Sequence, residues 1–217
     1  SDFVPVDDPE TRESAKSLGQ ISDREEILDR DVAGLVEDGE RLGLCVLTTI
    51  QNSYCLSAML TDRNQKSAWG GRRYGIVVTW PDKMELWQEY VSLRHTAQAT
   101  GDSEGIAATV FYLENREEMD AGHEMLSDYF VPRYRHIDDF GDEGVPDCLP
   151  VKNKQYVQVT FSPLQTAWNK IADTSMDSFK TEYQNDPPKE EESEKIALTV
   201  GRVLKQTSGL EQQEQPG

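Results

Sequence analysis

The stretch RYGIVVTWPDKMELWQEYVSL, residues 73–93, decides how the chain is read. Its first eight residues form an almost unbroken apolar and β-branched run. That is the pattern of a strand covered on both faces, and hence central in a sheet. Pro81 follows where the first turn of a helix tolerates it. Behind it Met84, Trp87 and Val91, with Leu86, Tyr90 and Leu93, recur at helical spacing, so a helix with a wide apolar face is predicted. A strand joined to a helix by so short a link is the unit of an α/β architecture.

Working outward, the rhythm repeats. Residues 105–113 (GIAATVFYL) read as a second strand, and Asn115-Arg116-Glu117-Glu118 as the start of a helix carrying Met119, Gly122, Leu126 and Phe130 until Pro132 stops it. Residues 133–150 (RYRHIDDFGDEGVPDCLP) read as a long acidic loop. Residues 155–161 alternate, with Val157, Val159 and Phe161 on one face, and Ser162-Pro163 opens a helix with Leu164, Trp168, Ile171, Ser175 and Phe179 in register. Upstream, Ser22-Asp23-Arg24-Glu25 has the form of a capping box, followed by Leu28, Val32, Leu35 and Val36 at helical spacing. Residues 44–50 and 54–60 read as a hairpin about Gln51-Asn52-Ser53.

The hairpin requires antiparallel pairing, whereas the strand–helix units favour right-handed crossovers and parallel pairing. The expected fold is therefore α/β or α+β, a mixed sheet of about five strands covered by helices. It forms a single compact domain over residues 21–186, flanked by an extended arm (residues 1–20) and a polar tail (residues 187–217). Within the tail, Ile196, Val200, Val203 and Leu204 form one short amphipathic segment suited to a partner's groove.

The net charge of −18 is unevenly distributed. Residues 1–42 hold 13 acidic against 5 basic side chains and residues 111–150 hold 11 against 3, whereas residues 43–110 balance at 6 and 6. Two acidic stretches on a nearly neutral scaffold repel nucleic acid and attract a basic partner or a cation. No run approaches the roughly 20 apolar residues that cross a bilayer. The opening residues SDFVP carry neither a basic region nor an apolar block, so no signal peptide is expected. Three cysteines, Cys45, Cys55 and Cys148, make an odd and sparse set, read as buried or half-buried thiols of a reducing compartment. No closely spaced cysteine pair suggests zinc.

Candidate chemistry is sparse. His136, Asp138 and Asp139, with Glu124 upstream, offer the imidazole and carboxylates that Mg²⁺ or Mn²⁺ accepts, the basis of an alternative reading as a metal-dependent phosphoester hydrolase. Trp69, Arg72, Arg73 and Tyr74 lie in a glycine-containing connection and combine stacking faces with forked donors, the chemistry of a protein interface. The loop leads into a strand and lacks the phosphate-loop pattern, so a nucleotide cradle is disfavoured. Of the tryptophans, Trp80, Trp87 and Trp168 fall in apolar stripes and are expected in the core, and Trp69 alone is expected exposed. His95 is expected to serve a helix C-terminus.

The reading that follows is a non-enzymatic structural or assembly subunit without cofactor, its partners other protein subunits in a homo- or hetero-oligomer, and neither nucleic acid nor membrane. A virus or phage particle component in an outer or connecting position is the expected setting, since a genome-contacting shell protein needs basic charge. A second alternative is an acidic inhibitor that mimics nucleic acid toward a basic partner.

Overall fold

The structure, a computed structural model, describes residues 2–35 and 42–188. It mixes helix and sheet and divides into two units, one drawn from Ser1–Gly71 and the other spanning Arg72–Asp186.

In the first unit, strand β1 (Asp2–Asp7) pairs in parallel with β2 (Leu42–Leu47), in register from Asp2 opposite Leu42 to Asp7 opposite Leu47. Residues 1–20, expected as an arm, thus supply a strand and the buried Glu10, Ser14 and Ala15. Parallel pairing demands a crossover, and α1 (Leu18–Glu26) lies in it. Its cap is Ser17, whose hydroxyl accepts the Gln20 N–H at 3.4 Å, so the helix begins before the predicted box at Ser22. The helix loosens into a wider turn over Ile27–Val32, with Ile21 and Leu28 buried along its inner side; Val36 lies outside the described residues.

The predicted hairpin is absent. Residues 54–60 contain a short helix, α2 (Leu56–Leu60), because contacts distant in sequence capture its start. The Glu10 carboxylate accepts the N–H groups of Leu56 and Ser57 at 2.9 and 2.8 Å and the Ser57 hydroxyl at 2.9 Å. A carboxylate at these unpaired amides satisfies them and suits the helix dipole. Asn52 reinforces the turn, its amide donating to the Ala15 carbonyl and its oxygen accepting the Tyr54 N–H. Ile21, Leu28, Leu56 and Leu60 form a small core joined by Val6, Val46 and Trp69. Cys55 is buried, Cys45 half-buried and Cys148 exposed, so the expectation of three sheltered thiols fails at Cys148.

In the second unit, residues 73–80 shrink to β3 (Val77–Thr79), which pairs antiparallel with β4 (Glu124–Met125). It is not a central strand. On Val77 the side-chain amide of Gln184 acts as a further strand would, accepting its N–H at 3.0 Å and donating to its carbonyl at 2.9 Å. The following helix, α3 (Met84–Ala99), begins after Pro81 and buries Trp87, Tyr90, Arg94 and Ala97.

The run 105–113 is a helix, α4 (Ile106–Glu114), rather than a strand. Asp102 Oδ2 accepts the Ile106 N–H at 2.7 Å, and Gly105 at φ +68° makes the turn into it. A Cβ at Gly105 would stand 2.9 Å from Arg94 Cγ, so glycine is needed for space as well as conformation. The predicted long helix after Asn115 is only α5 (Arg116–Asp120), and residues 126–133 have no regular structure.

The acidic segment holds β5 (Tyr134–His136) and a 3₁₀ turn over Ile137–Glu143. With β6 (Val151–Lys152) and β7 (Tyr156–Gln158), β5 makes an antiparallel sheet in the order β5-β7-β6. Ser162 opens α6 (Pro163–Asp173) as predicted, accepting the Gln165 N–H at 2.9 Å. The chain breaks at Thr174, so Phe179 belongs to a second helix, α7 (Met176–Gln184), capped by Ser175. Among the described residues the strands form sheets of two, two and three, in place of one sheet of about five. Two runs read as strands are helices, and β1 and β2 belong to the other unit.

The core of the second unit is aromatic: Trp87, Tyr90, Tyr112, Trp168 and Phe179 are all buried, with Trp80 packed against them. The rings of Trp87 and Trp168 stack with centroids 5.2 Å apart and planes 7° from parallel. Trp87 Nε1 donates to the Met119 carbonyl at 2.8 Å.

Candidate functional site

The residues picked from the sequence do not gather into one site. Trp69 falls in the first unit and is only half exposed, because the small core of that unit packs against it. It walls an open groove of about 640 Å³ with Leu28, Asp29, Leu42, Leu44 and Lys66. Lys66 Nζ is held by Glu25 at 2.5 Å and Asp29 at 2.6 Å. Its hydrogen bonds to Asp29 and Glu25 raise its pKa above the ordinary 10.5. The groove therefore sets apolar side chains beside fixed charge. Arg72, Arg73 and Tyr74 open the second unit, all three exposed, with the Tyr74 carbonyl accepting the Asn185 amide at 3.0 Å. Ile196, Val200, Val203 and Leu204 lie outside the described residues.

Of the metal candidates, His136 Nδ1 lies 3.3 Å from Asp138 Oδ2, with the Asp138 side chain 84% exposed. Asp139 uses its backbone carbonyl to accept Arg135 at 2.7 Å, and Glu124 is exposed on β4. Among the described residues no three His, Cys, Asp or Glu side chains converge as metal ligands would. His95 Nε2 meets the Ala172 carbonyl in the last turn of α6 at 2.8 Å, so it serves the end of a neighbouring helix, not that of its own.

The best-built polar clusters each join a buried side chain to a partly solvated carboxylate. The Arg94 side chain, 2% exposed, forks onto Asp173 with Nε–Oδ1 at 2.9 Å and Nη2–Oδ2 at 3.1 Å, and Nη1 donates to the Glu104 carbonyl. Gln98 adds a donor to Asp173 at 2.8 Å. Burial opposes the Asp173 charge, but the Arg94 and Gln98 hydrogen bonds outweigh it and hold the pKa below the ordinary 3.8. The Tyr112 hydroxyl sits between the Asp120 carboxylate at 3.1 Å and the Ser162 hydroxyl at 2.9 Å. Burial drives the Tyr112 pKa well above that of a free phenol, and burial likewise raises that of Tyr90. Both phenols stay protonated through the neutral range and act as structural donors.

The surface feature missed from the sequence lies in residues 126–131. Leu126 is 54% exposed, Tyr129 80% and Val131 65%, on a stretch without regular structure. A continuing helix would have put Leu126 and Phe130 on a core stripe. Gly122, at φ +75°, is the signal against such a helix, whereas Pro132 fits the end of either a helix or a loop.

No protein-family model, no curated protein and no solved structure matches the chain. No helix among the described residues is long and apolar enough to cross a membrane.

Proposed function

We propose that the chain is a non-enzymatic assembly subunit that binds other protein subunits, with residues 126–131 as a contact surface. The observation that carries this reading is the exposure of Leu126, Tyr129 and Val131 within six residues of irregular backbone. An amphipathic tyrosine flanked by aliphatic side chains is the composition of an interface centre. The chemistry inside the second unit supports it, since Arg94, Asp173, Tyr112 and Asp120 are spent on one another.

A virus or phage particle, in an outer or connecting position, is the setting that we propose for it. A charge of −18 opposes contact with a packaged genome. The exposed Arg72 and Tyr74 remain secondary contacts in this reading.

Solution mass by multi-angle light scattering tests the proposal, using the wild type and the Tyr129→Ser, Val131→Ser double variant over a concentration series. The wild type is expected to exceed the 24.5 kDa of one chain and the variant to lose at least about tenfold in association affinity, as for an interface anchor. Because like-charged subunits repel, added salt is expected to strengthen association. A single-chain mass for the wild type at every concentration and salt would overturn the reading.

A further inference from the structure

We propose that two copies of the chain pair by exchanging β1 about a hinge at Asp8-Pro9, each copy's Asp2–Asp7 lying beside the other copy's β2. The exchange rests on the assembly reading and gives it a second, independent contact.

Three observations carry it. First, Asp8 stands at φ +45°, in the left-handed region, directly before Pro9. The proline ring presses the preceding residue toward extended backbone, so a left-handed aspartate there is doubly disfavoured. An extended hinge removes that strain, and an extended hinge is what carries β1 away from its own β2.

Second, the chain is anchored by side chains immediately after the hinge, whereas before it the hold is chiefly the backbone ladder, which the Asp8 N–H extends to the Leu47 carbonyl at 2.8 Å. The Pro9 carbonyl accepts Arg24 Nε at 2.8 Å, and Glu10 is locked onto Leu56 and Ser57. On the other side Phe3 is 66% exposed, Pro5 and Asp7 are exposed, and Val6 joins the apolar cluster. The side-chain packing that opens when β1 leaves is that of the half-buried Val4 and Val6, and the same packing forms again on the other copy.

Third, β1 pairs with β2 alone among the described residues, through a six-residue register that a second copy reproduces unchanged. The backbone ladder that opens within one chain forms again between two, and both hinges relax. The result is a closed, two-fold pair, as exchange of an identical element produces.

The register supplies the test. Pro5 faces Cys45 across the ladder, so the full chain carrying Pro5→Cys and Cys148→Ser is incubated at high concentration and oxidised with copper phenanthroline. It is then run on denaturing gels without reductant. The expected result is a disulfide joining two chains. Adding Asp8→Gly, which tolerates a positive φ, is expected to raise the dimer Kd about tenfold or more and move the bond within single chains. A bond that closes within one chain at every concentration overturns the exchange.

Light scattering of the otherwise native Asp8→Gly chain decides the matter even where the introduced thiol fails to oxidise. A mass equal to wild type at all concentrations overturns the exchange, and a lower one supports it. Association that survives Asp8→Gly but disappears with Tyr129→Ser and Val131→Ser leaves the assembly reading standing without the exchange. The opposite pattern keeps the exchange and removes residues 126–131 as the contact.

Discussion

The Arg94–Asp173 fork shows how much one residue decides. A guanidinium 2% exposed has little water to fall back on, and each of its three nitrogens meets a protein acceptor, Nε and Nη2 on Asp173 and Nη1 on the Glu104 carbonyl. Arg94→Ala is expected to cost about 3 kcal/mol in a chemical denaturation experiment, the lower end for breaking a buried pair because Asp173 is partly solvated. The acid limb of stability follows from the same pair. The Asp173 pKa is depressed in the fold, so its contribution is present above the ordinary carboxylate value of 3.8 and is lost as pH falls below that value toward the folded pKa. Asp173→Asn is expected to lower stability at neutral pH and flatten the loss below about pH 4, measured by urea unfolding across pH. An unchanged acid slope in that variant would mean that other carboxylates set it.

At the scale of elements, α2 exists because a side chain 46 residues earlier accepts its first amides. Glu10→Ala leaves those N–H groups buried without an acceptor, which costs about 2–3 kcal/mol by the desolvation of unpaired polar groups. Thermal unfolding followed by circular dichroism checks it. The contrast explains what can be read in advance. The start of α6 is legible because Ser162, Pro163 and Gln165 are neighbours, and the alternation of Val157 and Val159 is legible because period two is local. Residues 54–60 are not, since Tyr, Leu and Met satisfy a strand and a helix equally until Glu10 arrives. The start of α4 is only half marked: Asp102 and Gly105 sit at cap positions before Ile106, but a continuous apolar run carries no period to confirm them. The surroundings of Trp69 are hidden for a different reason. The apolar cluster it packs against comes from positions 21, 28, 56 and 60, so a residue isolated in sequence is sheltered in space.

At the scale of the molecule, each unit has its own apolar cluster, around Leu28 and Leu56 in one and Trp87 and Trp168 in the other. Separate cores unfold as separate cooperative steps. Calorimetry of the full chain is expected to show two transitions, with Glu10→Ala lowering one and Arg94→Ala the other. A single transition shifted by both variants would show that the units melt together. The placement of the tryptophans makes the two steps separable by optics as well. Trp87 and Trp168 stack closely enough for their ultraviolet transitions to couple, whereas Trp69 is the indole of the other unit. The paired indoles, with Trp80 edge-on to Trp168, thus give one half of the chain a chiroptical signature that the other half, with Trp69 as its single indole, lacks. The molecule carries a native label on one of its halves, and the melting of that half is read from the loss of the coupled signal.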